Sequence, residues 1–505
     1  GATTQFRYDE LLHLSRTILA TGHVVQTEID LIGNKISETD PNGQQTSYTY
    51  DDNNRLITST DPLQRQTELT YDDAGNLLTR ENLTSGEKQL NTYDHRNRIL
   101  SQTHVNPSTG DQAVGYTYSN GGRNVIMSQP EDASVTMIYN ELGQLISRQQ
   151  AGITVGYTHD EGGRPTRIDL PEGYAITRRY DGLGRLLSEN RPHDYNFSYA
   201  YDIYNNPISA TDPRGVATSL SYDDFDRPLT RSLTYGDQQA NHSWSYIHNP
   251  DHMAVTTTDF RGHVVTQTVD HRDRLISLQD SLRGTSTQTW DGVNLLEQID
   301  FNGNTTSFSY DAVNRPLSVS DSLGQSSTSY DDEARSLSIT DRRGILSTDS
   351  FDLTGNLIQR EVDDIIMTTN SYDRQNRLIQ SIDASGKTST TAYDSLGRVL
   401  QQALGPQTTS YGGYNDLGFP GTISDGITTQ TMTYDFYGRV LTTANELDET
   451  IVQTYDPDGR VLSRTAPSPA GDSATTRYTY GLLGNPIQLT EPNGAVTSFA
   501  WSQDW

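Results

Sequence analysis

One pattern recurs along the whole 505-residue chain and leaves few ways to fold it. An aromatic residue followed by aspartate returns about every 21 residues. The stretch Tyr50–Asp72, YDDNNRLITSTDPLQRQTELTYD, runs from one copy to the next. Equivalent positions fall at Tyr8, Ile29, Tyr50, Tyr71, Tyr93, Tyr118, Tyr139, His159, Tyr180, Tyr201, Tyr222 and Tyr246. They continue at Val269, Trp290, Tyr310, Tyr330, Phe351, Tyr372, Tyr393, Tyr414, Tyr434, Tyr455 and Tyr480. Of the 22 intervals between these 23 positions, thirteen are 21 residues and four are 20. A repeat array grows by adding like units. The length therefore does not demand the several separate cores that 505 residues would otherwise imply. We read residues 1–505 as a single array with no linker or second domain.

Each segment of the unit has a physical role. Aspartate after the aromatic bonds its own backbone two residues on and opens a turn. The turn often ends in Gly or Asn, as at Gly75, Gly184, Gly397, Asn54 and Asn97, residues that tolerate positive φ. Arg or Asn and then Leu, Ile or Val follow, and Ser and Thr carry a strand to a second turn. That turn reads DPNG at Asp40–Gly43, DPRG at Asp212–Gly215 and EPNG at Glu491–Gly494. Proline presets φ there and glycine closes the turn. The returning strand alternates, as in TSYTY at Thr46–Tyr50. One repeat is thus two strands of about six residues and two turns. Tyr71 and Leu77 flank one turn and should face each other across a hairpin.

Length then decides the architecture. About 44 strands at ~4.8 Å would run on the order of 200 Å if laid flat, and open sheets of that size curl. The ribbon must wind up. A wide winding encloses a space, whereas a tight one makes a solid parallel solenoid. Turn signals every ten residues or so favour the wide winding of a meander. Three insertions interrupt the ruler: NPSTGDQ between Tyr93 and Tyr118, TYGDQQAN between Tyr222 and Tyr246, and APSPAGDS between Tyr455 and Tyr480. All lie toward the DPxG end, so longer loops are expected to project from that margin.

Composition narrows the function. Hydrophobic residues are only 32%, yet 29 tyrosines and the strict period suit half-buried strands better than disorder. The formal charge of −28 argues against a surface built for nucleic acid or anionic lipid. With no cysteine, disulfides and thiolate metal sites are excluded. No apolar run approaches the ~18 residues of a membrane helix, so no membrane insertion is expected of this segment.

A run of about 21 residues reading YDxxGRL…DPxG…YxYD closely resembles the RHS/YD-repeat family. YDGLGRL at Tyr180–Leu186 and YDSLGRV at Tyr393–Val399 carry the motif, in register from Tyr8 to about Trp505. The family comprises bacterial RHS polymorphic toxins, the B and C subunits of insecticidal toxin complexes, and teneurins. The resemblance implies an all-β fold: a long antiparallel ribbon spiralling into a hollow shell. It implies a non-enzymatic role, enclosing and protecting a cytotoxic C-terminal polypeptide until delivery, in a secreted or cell-surface bacterial protein. Implied partners are the enclosed toxin and capping or partner shell segments. The alternative is a teneurin-like or carbohydrate-binding adhesion module that meets a cell-surface glycan or receptor. The self-cleaving core region and toxin domain of bacterial members are not visible here, and no aspartate can be assigned a protease role.

Other candidate chemistry is local. His242, His248, His252, His263 and His271 cluster with Asp251, but in no zinc-motif spacing. A degenerate repeat explains them better. Acidic pairs at Asp51-Asp52, Asp72-Asp73, Asp223-Asp224 and Asp331-Asp332-Glu333 offer oxygens to calcium. Each sits where a turn opens, and no EF-hand spacing is present. No GxSxG, HExxH or P-loop appears. No catalytic, cofactor-binding or metal residue is therefore expected.

Overall fold

The computed structural model describes residues 4–19, 22–107, 110–235, 238–248, 253–468, 473–481 and 484–500. Forty-seven strands, β1 to β47 in chain order, form one sheet, and no α-helix occurs among the described residues. Each strand pairs antiparallel with its successor, from β1 (Gln5–Tyr8) to β47 (Val496–Ser498). This is a continuous meander. The parallel solenoid is excluded, because among the described residues no strand pairs with an equivalent strand of the next repeat.

The repeat behaves as its residues require. In β5 (Gln45–Tyr50) exposure alternates, with Thr46, Tyr48 and Tyr50 on the more covered face and Ser47 and Thr49 on the exposed one. Across the aspartate turn, Tyr50 faces Leu56 of β6 (Leu56–Thr60) and Thr49 faces Thr58, which leaves Ile57 as an extra residue. The same bulge recurs at Tyr71/Leu77, Tyr180/Leu186, Tyr201/Pro207, Tyr393/Val399 and Tyr455/Val461. A bulge bends its strand and increases the local twist. Repeated on one margin of the ribbon, it imposes a curvature of constant sign. On the exposed face, hydroxyl pairs such as Thr70–Thr79 and Thr433–Thr442, both at 2.6 Å, tie neighbouring strands together.

The curvature closes into coils. Side-chain hydrogen bonds join residues 245 to 267 positions apart, about twelve repeats. They connect the DPxG-type turns of a first coil to the aspartate turns of a second. The turn after β12 (Asn124–Ser128) lies between the turns that follow β35 (Ile365–Tyr372) and β37 (Thr388–Tyr393). There Arg377 Nη1 meets Asp132 Oδ1 at 3.0 Å, and Ala133 N–H donates to Ser395 O at 2.6 Å. The turn after β18 (Leu186–Arg191) likewise lies between those after β41 (Thr429–Tyr434) and β43 (Thr450–Tyr455). One coil therefore takes about 24 strands, and the chain makes about two coils.

At ~4.8 Å per strand, 24 strands give a circumference of about 115 Å and a width of roughly 37 Å at the backbone. The interior is hollow rather than packed. The accessible surface is 29110 Å², against roughly 18,000 Å² for a compact protein of this mass. Among the described residues the buried hydrophobic side chains are Val135, Tyr195, Val216 and Ala254, and the first three lie at or beside turns of the seam between coils. The tips of the three insertions expected to project as longer loops (residues 108–109, 236–237 and 469–472) lie outside the described residues, but the NPSTGDQ insertion is anchored where it begins. Its Asn106 is 0% exposed and donates to Asp352 Oδ2 and Thr354 Oγ1 of the second coil.

Candidate functional surface

Two constructions hold the shell. The first is a ladder along the aspartate-turn margin. Asp181 Oδ1 accepts the N–H groups of Leu183 (2.9 Å) and Arg185 (3.0 Å), and its Oδ2 accepts from Arg185 Nε at 2.6 Å. Arg185 Nη1 then reaches the carbonyl oxygen of Asp202, in the next repeat, at 2.7 Å. Its guanidinium lies 4.8 Å from the Tyr201 ring centroid, within cation–π range. Tyr201 donates its hydroxyl back to the carbonyl oxygen of Leu186 at 3.0 Å. Two successive repeats are thus tied in both directions.

The rung recurs along the chain. Arg55 covers Tyr71, Arg98 covers Tyr118 and Arg398 covers Tyr414. Where Trp290 replaces tyrosine, its Nε1–H takes over the hydroxyl's bond, donating to Leu275 O at 2.8 Å. Packing was the expected role of the tyrosine. The additional donor role explains why an aromatic with a polar tip is used. Where Arg stands four residues after the turn aspartate, as in Asp51/Arg55 and Asp181/Arg185, that spacing is the sequence signal for the ion pair; Asn takes the position in units such as Asp72/Asn76.

At several aspartate turns, Asp51, Asp94 and Asp181 among them, the carboxylate is held ionised. At Asp94 desolvation opposes this, but the Arg98 side chain and the N–H groups of Arg98 and Arg96 outweigh it and bring the pKa down to about 2. The N–H of Arg55 lowers Asp51 in the same way, against desolvation and with help from the Arg55 side chain, and Arg185 does so for Asp181. The first carboxylate of each acidic pair is therefore a turn element. Asp332 differs. It accepts from Arg315 in its own coil (2.7 Å) and from Arg65 of the first coil (3.1 Å), a role with no local sequence signal.

The second construction is the seam. Tyr195 stacks on Tyr437 with ring centroids 4.3 Å apart and donates to Asp456 O at 3.0 Å. Burial pushes the Tyr437 phenol up to about 12. Arg214 meets Asp458 at 2.8 Å, and Tyr174 packs edge-on against Phe436. Where Phe351 occupies a tyrosine position the rung is incomplete. Arg335, at φ 53°, leaves the ladder to bond Ser85 O across the seam. A cavity of about 690 Å³ opens there between Lys88, His104, Tyr330, Arg335 and Phe351.

Among the described residues the histidines do not converge. His242 lies against Trp244 at 4.4 Å, and His263 Nε2 is 3.0 Å from the buried Asp280. Asp251, His252 and the side chain of His248 lie outside the described residues. Among the described residues no three His, Cys, Asp or Glu side chains are grouped to hold a metal. No described helix is long and apolar enough to cross a membrane.

A single antiparallel ribbon, coiled on itself and laddered by Tyr, Asp and Arg, defines a YD-repeat shell. The profile of the RHS Repeat family matches residues 30–66, 50–88, 372–410 and 455–496, and that of the Teneurin YD-shell matches residues 122–323. The chain belongs to the RHS/YD-repeat family, and its role is that of a structural shell. The crystal structure of TcdB2-TccC3-TEV is similar at 14% identity and a TM-score of 0.58, over 99% of this chain and 36% of that one. The Photorhabdus luminescens Tc holotoxin pore is similar at 13% identity and a TM-score of 0.54, over 98% and 36%. TcdB2-TccC3 without its hypervariable C-terminal region is similar at 13% identity and a TM-score of 0.53, over 97% and 34%. At these identities the likeness is one of fold, and this chain spans about a third of their length. No curated protein matches the sequence.

Proposed function

We propose that residues 1–505 form one uninterrupted section of shell wall whose work is confinement: it encloses and protects a cytotoxic polypeptide until delivery, in a secreted or cell-surface bacterial assembly. The observation that carries this reading is the winding itself. Two coils surround a space with almost no packed core, and the accessible surface far exceeds that of a compact protein. Such a wall acts by exclusion, keeping proteases from the cargo and the cargo from its target. No catalytic, cofactor or metal residue is assigned. In a finished wall the edges at β1 and β47 are covered by further shell or by capping or partner segments, since unpaired strand edges invite association. The engagement of tyrosine hydroxyls within the ladder supports packing over glycan stacking.

The test is a fused cargo. An unfolded polypeptide appended after residue 505 is challenged with protease. The same tail on a solid β-protein of similar size serves as reference. Slower cleavage on the shell is expected, and equal rates would contradict enclosure.

A further inference from the structure

On the wall face that carries the repeat tyrosines, the two coils differ. Two residues before the tyrosine position the first coil places Tyr116, Met137, Tyr157, Tyr199, Leu220 and Trp244, with Arg178 among them. The next seven repeats place Gln267, Gln288, Thr328, Asp349, Asn370 and Thr391 there, with Phe308 among them. Four residues before the tyrosine position, Val114, Val135, Val155, Ile176 and Phe197 stand in five successive repeats. From Ser286 to Ser389 that position is Ser or Thr in six. Both sets form the same meander. The ribbon therefore does not require apolar side chains at these positions.

Direct cross-strand partners share a face, and the pairings join these residues into one band. Tyr116 faces Met127, and Val125 faces Met137. Arg148 stands between Met137 and Val155. Tyr157 faces Ile168, which faces Ile176. Glu189 stands between Arg178 and Phe197, and Arg231 between Leu220 and His242. The band crosses thirteen strands, from β11 (Gln112–Ser119) to β23 (Gln238–His248). Its one carboxylate on a strand is Glu189, which Arg178 holds at 2.6 Å and Arg191 also holds. Arg148 and Arg231 are exposed, and neither pairs with a described carboxylate. In a chain of formal charge −28 this one band is net positive.

The tyrosine face is also the more covered one. A winding about 37 Å across draws the side chains of its concave face together and splays those of the convex face, so the tyrosine face lines the hollow. We propose that the band is the contact surface for the enclosed polypeptide, and that it takes an extended segment in which carboxylates alternate with apolar side chains. The arginines would receive the carboxylates. The aromatic and methionine side chains are adaptable partners for the apolar residues between them. At physiological ionic strength charges beyond about 8 Å are largely screened, so such a segment responds to the arginines beneath it rather than to the net charge of the wall. Thirteen strands span about 60 Å, the reach of about 18 extended residues. The proposal rests on the confinement reading and names the face and the kind of sequence through which the cargo is held.

The experiment uses the full chain with an unfolded tail of about 60 residues appended after residue 505. The tail carries photo-crosslinkers, and the crosslinked wall residues are mapped by mass spectrometry. One tail alternates glutamate with leucine and tyrosine among glycines; a second has lysine for glutamate. The glutamate tail should crosslink mainly to the band on β11–β23, and the lysine tail should not. The double variant Arg148→Glu, Arg231→Glu should lower the band's share about tenfold. Met137→Gln with Tyr157→Thr, residue types the second coil uses at these positions, should lower it several-fold. Arg464→Glu, an exposed arginine on the same face of the second coil, should leave it unchanged. Circular dichroism and the unfolding midpoint should be the same for the wild type, the arginine double variant and Arg464→Glu. Crosslinks spread evenly over both coils, a lysine tail that prefers the band, or a share that the double variant does not lower would overturn the proposal. A tail that is protected from protease yet shows such a spread rejects the band and leaves confinement intact. A tail cleaved as fast as on a solid β-protein rejects confinement itself.

Discussion

At the scale of single residues, the shell is held by a hydroxyl, a carboxylate and a guanidinium repeated in register. Tyr201→Phe removes the donor to Leu186 O while keeping the ring under Arg185. A loss of about 1 kcal/mol is expected, read from urea unfolding. Arg185→Ala removes the pair with Asp181, the bond to Asp202 O and the cover over Tyr201 together. It should cost more than Tyr201→Phe, on the order of 2 kcal/mol. The carboxylates set the response to acid. The Asp94 pKa is lowered on folding from 3.8 to about 2. The unfolded chain therefore binds the proton more readily, and stability rises with pH across that interval. The contribution is complete above pH 4 and is lost as the pH falls through 2. Asp51, Asp160, Asp181 and Asp223 shift in the same direction. Circular dichroism should show a shell that survives to about pH 3 and opens toward pH 2, and Asp94→Asn should flatten that slope. A shell that loosens between pH 5 and 7 would contradict the assignment.

At the scale of elements, the hairpin was legible and the seam was not. Alternation in TSYTY, aspartate at the turn and glycine or asparagine at positive φ predict strands and turns that the structure bears out. Asn54 sits at φ 61° and Gly184 at φ 89°. Tyr71 faces Leu77 as expected. These are interactions between residues a few positions apart, so local sequence encodes them. The bulge beside most Tyr/Leu pairs, absent at Tyr330/Leu337, is the small irregularity from which the curvature builds, and no residue type marks it. The seam partners of Tyr195 or Asp332 depend on how that curvature accumulates over 24 strands, so nothing near either residue announces them. Tyr195→Ala deletes the ring stacked on Tyr437 and the donor to Asp456 O. A large aromatic truncation of this kind costs about 3 kcal/mol or more. Hydrogen exchange should rise on both sides of the seam, near residues 192–195 and 435–458, and stay unchanged at Asp40–Gly43. Exchange rising only locally to Tyr195 would mean that the coils are not coupled there.

At the scale of the whole molecule, the repeat length and the need to wind were visible in 23 aromatic positions. Repeats that contact mainly their neighbours make stability a sum of local terms. The seam adds a second, longer-range set of terms that converts a ribbon into a wall. The radius of gyration alone does not distinguish such a wall, because a short hollow cylinder and a compact globule of this length have similar values. Electron microscopy of the monomer does. The expected image is a closed wall of density about 37 Å across at the backbone, around a void roughly 25 Å wide, with two coils stacked along the axis. A filled rod, or a ribbon whose first coil does not touch its second, would contradict it.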